Sequence, residues 1–147
     1  METVLALTLA FAFGHLRPAV QDHSTVYEMN AALSTQPQVV KSVKPEYTPA
    51  ARTARVQGWI VVSAVVQSDG TIGEVGVMRT QLWQYFGPAA KGFGPVAFLS
   101  MPEVRRLGLD KQAINAVKRW LFKPGMKDGE SVAVRVVIEL TFALGGP

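Results

Sequence analysis

The sequence predicts an α+β fold in two layers, with helices on one face of a three-stranded antiparallel sheet. Three observations carry that expectation. Residues 132–142 alternate apolar and polar with a period of two. "WIVVSAVVQ", Trp59 to Gln67, is a nearly continuous β-branched run followed at once by an Asp-Gly turn. Between these two segments, apolar residues recur at the 3, 4, 7 spacing of a helix. The expected order is helix, strand, strand, helix, strand.

The first helix is expected to start at Thr48, an N-cap residue, with Pro49 in the first helical position and Gly58 at the end. The Trp59–Gln67 run then reads as a central strand. Asp69-Gly70 fits a tight hairpin turn. "TIGEVGVMRT", Thr71 to Thr80, is the return strand, with Val75 and Val77 on one face and Glu74, Gly76 and Met78 on the other. Residues 81–108 interrupt the pattern as an apolar, Gly- and Pro-containing insertion, and long insertions of this kind are often functional. In the second helix Asp110 is the expected N-cap. Ala113, Ile114, Val117, Trp120 and Leu121 form its apolar stripe, and Pro124-Gly125 is its stop. Asp128-Gly129 turns the chain into the last strand.

The hairpin and the second helix each reverse the chain. The final strand is therefore expected beside the Trp59 strand, giving the order return strand, Trp59 strand, final strand. That leaves the last strand as an edge with one row of main-chain groups unpaired. The Trp59 strand is apolar on both faces, since Trp59, Val61 and Val65 oppose Ile60, Val62, Ala64 and Val66. The second face is expected to be covered by the Trp83–Leu99 segment or by a second copy of the chain.

The chain has 147 residues, 48% hydrophobic and 18% charged, with a net charge of +4. That is one domain with a core. The basic residues are dispersed, and no nucleic-acid module is recognisable. With no cysteine, disulfides, thiolate metal sites and cysteine nucleophiles are excluded. His15, Asp22 and His23 have no further ligand at useful spacing, so no metal site is expected. "GPAAKGFG", Gly87 to Gly94, lacks phosphate-loop spacing. No catalytic arrangement and no cofactor site is expected.

Residues 1–14 hold an apolar run, Thr3 to Gly14, too short for the ~20 residues a spanning helix needs. Glu2 stands where a signal peptide carries positive charge. An export or anchor remnant is expected there, with a short buried helix as the alternative. Residues 15–43 read as a linker with one short helix near Val26 to Leu33, and 44–147 as the folded domain with its insertion at 81–108.

Four pieces in order, "PEYTPAARTARVQG", "SDGTIGEVGV", "LDKQAINAVKRWLFKP" and "DGESVAVRVVIELTF", resemble the C-terminal domain of TonB-family energy transducers. The Trp-x-Phe-x-Pro sequence at Trp120, Phe122 and Pro124 adds to the likeness. The resemblance implies a periplasmic domain, inner-membrane anchored where an anchor exists. It also implies that the domain couples a proton-driven inner-membrane motor to outer-membrane transporters. Such a domain captures an extended transporter peptide by strand addition, whose affinity comes from main-chain hydrogen bonds. Carried onto this chain, the binding residues are Val132, Ala133, Val134, Arg135, Val136, Val137, Ile138, Glu139 and Leu140, with Pro45, Glu46 and Tyr47 nearby. Arg135 and Glu139 would select side chains of the guest from the outward face. The alternative is a free-standing envelope interaction or homodimerisation domain of the same fold. The chain departs from the family's usual form in carrying Tyr47-Thr48 for Tyr-Pro and in the length of its insertion.

Overall fold

A computed structural model describes residues 25–29, 33–85 and 96–145. Its elements in chain order are β1 (Val26–Glu28), β2 (Gln38–Lys41), α1 (Pro49–Thr53), β3 (Val56–Val66), β4 (Ile72–Tyr85), β5 (Val96–Phe98), α2 (Met101–Leu107), α3 (Leu109–Lys118), β6 (Leu121–Lys123), β7 (Gly125–Lys127) and β8 (Glu130–Phe142). The architecture is α+β and rich in strand. The main sheet runs β1-β8-β3-β4-β5, with β7 also paired to β8, and β2 pairs with β6 in a separate ribbon.

The sheet is therefore wider than the three strands expected. β3 lies between β4 and β8, antiparallel to both. β1 is added outside β8 and β5 outside β4. The surplus comes from short segments with too few residues to show a period. "VYE" was expected within a short helix and instead forms strand β1. The first residues of the insertion continue β4 as far as Tyr85.

The core lies between the sheet and the helices. Ile60, Val62, Ala64 and Val66 of β3, all fully buried, face Val104, Leu109, Ala113 and Val117 from α2 and α3. On β8 the alternation holds residue by residue: Val134, Val136, Ile138, Leu140 and Phe142 are buried while Val137, Glu139 and Thr141 are exposed.

Local chemistry explains the helix ends. The Thr48 hydroxyl accepts from the Ala51 N–H (3.2 Å) and donates to the Leu107 carbonyl (2.7 Å), capping α1 and tying it to α2. Gly58 does not end this helix. It lies inside β3 with φ at +131°, where a Cβ would meet the Gln81 carbonyl oxygen. α2 begins with a capping box in which Glu103 accepts from the Ser100 N–H (2.7 Å). These hydrogen bonds hold the Glu103 carboxyl below its ordinary range.

The expected second helix is capped two residues earlier than the sequence suggests. Gly108, left-handed, is the residue between α2 and α3, so Asp110 falls in the first turn rather than at the cap. α3 also stops at Lys118, before Pro124-Gly125. Leu109, Ala113, Ala116 and Val117 form its buried stripe, whereas Leu121 lies in β6 and is exposed. Trp120 is half-buried, and its indole N–H donates to the Val43 carbonyl (2.9 Å).

Both Asp-Gly turns form. In the first, Asp69 accepts from the Thr71 N–H (2.9 Å) and hydroxyl (2.6 Å), bonds that keep its carboxyl below the usual range. In the second, Asp128 and Gly129 both have positive φ, +51° and +81°, the geometry of a two-residue hairpin.

The Thr3–Gly14 run, His15, Asp22 and His23, and "GPAAKGFG" lie outside the described residues. Among the described residues no helix is long and apolar enough to cross a membrane.

Candidate peptide-binding edge

Main-chain groups on a strand alternate sides, so hydrogen-bond accounting across the sheet tells which β8 residues point outward in the sheet plane. The Leu99 N–H donates to the Leu82 carbonyl (2.8 Å), so Leu82 directs its main chain toward β5. Its neighbours Gln81 and Trp83 then direct theirs at β3, opposite Trp59 and Gln57. The odd-numbered residues of β3 are thereby used against β4, and the even-numbered ones face β8. Gly58, Ile60, Val62, Ala64 and Val66 stand opposite Phe142, Leu140, Ile138, Val136 and Val134 in unbroken register. On β8 the even residues therefore spend both main-chain groups on β3. Ala133, Arg135, Val137, Glu139 and Thr141 present theirs to the other flank.

That flank is not wholly open. β1 runs parallel to β8 along it, with Val26, Tyr27 and Glu28 opposite Ala133, Val134 and Arg135. β7 pairs with Glu130–Val132 on the opposite side, in line with β3. The sequence-based expectation of a bare edge from Val132 to Leu140 thus needs correction at Ala133, Val134 and Arg135. From Val136 to Phe142 no described strand pairs with the outward flank. The main-chain groups of Val137, Glu139 and Thr141 have no ladder partner there.

Side chains complete the flank's chemistry. Arg135 donates from Nη1 to the Ser63 hydroxyl (3.2 Å), and its Nε lies 3.4 Å from the Glu28 carboxylate. Lys127 Nζ sits 5.6 Å from the Tyr27 ring centroid, a cation–π contact. Glu139 and Val137 project from the outward sheet face, Val137 with 62% of its surface exposed. Val134, Val136, Ile138 and Leu140, also expected at the site, bury their side chains in the core and can offer a partner none of them.

The Pro45–Tyr47 segment lies at the far end of the same strand. Tyr47 packs edge-on against Phe142 (centroids 5.5 Å apart), the last residue of β8. Its hydroxyl donates to the Val56 carbonyl (2.8 Å), and Arg52 lies 5.7 Å from its ring centroid. Partial burial pushes the Tyr47 phenol above its ordinary pKa, and the Arg52 charge opposes that shift. Glu46 and Lys44 border a shallow polar depression with Gln112, Asn115 and Arg119 of α3 and its end. Tyr47 thus stands beside the open end of the flank, while Glu46 faces the helix.

Sequence reasoning missed Tyr27 and Glu28. Their signal is a three-residue alternation inside a polar stretch, indistinguishable from chance. The other sheet face was foreseen as apolar. Trp59, Trp83 and Phe98 form a chain of edge-on rings there, 5.7 and 6.4 Å between centroids. Trp83 and Phe98, both within the 81–108 insertion, supply part of that cover, and Phe98 and Met78 remain largely exposed. Among the described residues no group of three or more His, Asp or Glu could hold a metal ion.

Residues 104–144, from within α2 through α3 to the end of β8, match the family model described as Gram-negative bacterial TonB protein C-terminal. Two curated proteins, Protein TonB of Xanthomonas campestris pv. campestris strains B100 and ATCC 33913, are each 27% identical over 100 residues. The alignment takes in 68% of this chain and 34% of each relative, so it spans about a third of the relatives' length. The solution NMR structure of Pseudomonas aeruginosa TonB CTD aligns with 84% of this chain and 99% of its own, at 19% identity and a TM-score of 0.49.

Proposed function

We propose that this chain, a TonB-family C-terminal domain by its family match and its relatives, is an envelope protein-binding module that captures an extended peptide by adding it to the outward flank of β8. The observation that carries this reading is the row of main-chain groups at Val137, Glu139 and Thr141, which no described strand uses. A strand placed there gains ladder bonds without disturbing the β3–β8 register. The positions named from the sequence fit this use in different ways. Ala133, Arg135, Val137 and Glu139 offer main chain or side chain to a guest. Val132, Val134, Val136, Ile138 and Leu140 hold the strand in the sheet, and Pro45, Glu46 and Tyr47 border its end.

The partner this reading assigns is a segment of an outer-membrane transporter, met in the periplasm. Where a membrane anchor precedes the domain, an inner-membrane proton-driven motor supplies the force. The module is a binding device and performs no covalent chemistry.

A photo-crosslinking residue placed singly at Val137, Glu139 and, as a control, Lys111 on α3 tests this. In envelope fractions the first two are expected to crosslink to the periplasm-facing end of an outer-membrane transporter, and Lys111 is not. Equal yields at all three positions, or none at Val137 and Glu139, would overturn the reading.

A second reading, a free-standing envelope interaction or homodimerisation domain, draws on the exposed side chains of Met78, Phe98 and Val137. Sedimentation of the isolated chain separates the two. A stable dimer dissociated by Phe98→Ser favours the second.

A further inference from the structure

The pairing of β1 on β8 is short and lightly held. It contributes three residues, two of them exposed, and the third, Tyr27, is only half-buried. β3, by contrast, faces β8 over nine register pairs with a buried core beneath them. The contacts that hold β1 from the side are an ion pair with 34% and 68% of its side chains exposed and one cation–π contact. Ion pairs that accessible contribute little, because water screens them and ordering two long side chains costs entropy.

β1 nonetheless sits where its presence has the greatest consequence. By the alternation derived above, Ala133 and Arg135 are the first two of five β8 residues that direct main-chain groups outward, and β1 takes both. We propose that β1 is an exchangeable occupant of this flank, a strand of the chain itself that a guest peptide must displace. The inference rests on the reading of β8 as the docking strand and adds how access to it is regulated.

The thermodynamics of such an exchange favour a longer guest. Replacing β1 returns the ladder bonds at Ala133 and Arg135 one for one, so the main chain is near balance over that stretch. A guest that continues past Arg135 also satisfies Val137, Glu139 and Thr141, which β1 never reaches. Those three residues act as a landing site from which the guest advances against β1. The internal strand therefore sets a threshold: short extended segments bind poorly, and segments spanning Ala133 to Thr141 bind well.

The test uses the full chain and a synthetic peptide with the sequence of residues 25–34, Thr-Val-Tyr-Glu-Met-Asn-Ala-Ala-Leu-Ser, long enough to span Ala133 to Thr141, as a surrogate guest. Tyr27→Pro removes the donor by which β1 joins the ladder. Thermal melts report whether the variant remains folded, and Glu28→Arg, which sets like charge against Arg135, is the second variant should Tyr27→Pro unfold. Fluorescence anisotropy is expected to give about ten-fold or greater tightening of the peptide in the variant. Amide exchange in the wild-type chain should show protection lost at Tyr27 as peptide is added and retained at Arg135. Equal affinity in variant and wild type, with Tyr27 protection unchanged at saturation, overturns the exchange while leaving the docking strand standing. Absence of binding to either chain overturns the docking reading itself.

Discussion

Gly58 shows how one residue fixes the geometry of two strands. Its φ of +131° and the approach of the Gln81 carbonyl leave no room for a Cβ. Gly58→Ala is expected to destabilise the fold by roughly 3 kcal/mol, the upper end of what overpacking costs, as measured by chemical denaturation. Tyr47 makes a different kind of commitment. Tyr47→Phe removes the hydrogen bond to Val56 and is expected to cost about 1 kcal/mol. Because the folded phenol titrates above its unfolded value, its contribution is fully present below pH ~10 and is lost as pH rises through the folded pKa. The wild-type melting temperature should therefore fall more steeply than that of Tyr47→Phe on the alkaline side.

Neighbouring positions on β8 have opposite uses, and proline separates them. Val137→Pro removes a donor that faces outward, so the thermal transition should survive while capture of a strand is lost. Ile138→Pro removes a donor spent on β3 and leaves its acceptor unpaired, expected to cost about 1–3 kcal/mol beyond the lost bond. Equal destabilisation by the two substitutions would contradict the alternation assigned to β8. At this scale the long strands were legible in the sequence because each repeats its pattern many times, β8 by its alternation and β3 by its β-branched run, while the short helix α1 was marked by its cap residues Thr48-Pro49 and both hairpins by Asp-Gly. The short elements were not. Tyr27 and Glu28 have no period to display, and β6 follows α3 so closely that Trp120 and Leu121 read as one more helical turn. The docking strand was thus visible from sequence, but its intramolecular occupant depends on a pairing between residues about a hundred positions apart, which no local pattern encodes.

Over the whole molecule, chain ends and core are joined at two places. β1 and β8 bring the first and last described strands together. Phe142, almost fully buried, brings the end of β8 against Tyr47. Phe142→Ala is expected to cost about 3–5 kcal/mol, read in a denaturant titration, and to free the Pro45–Tyr47 segment along with the strand end. Since the central strand β3 completes its pairing only when β8 arrives, the topology is dominated by distant contacts. Refolding is expected in milliseconds to seconds, measurable by stopped-flow fluorescence of the Trp59–Trp83 pair.

The position of β1 also has a mechanical meaning. Tension on a tether attached upstream of Val26 meets this three-residue ribbon before any other described element. Loaded along its length, it yields while the β3–β8 seam stays shut. A pull on that tether would thus strip the seat bare, making the domain most receptive when it is under strain.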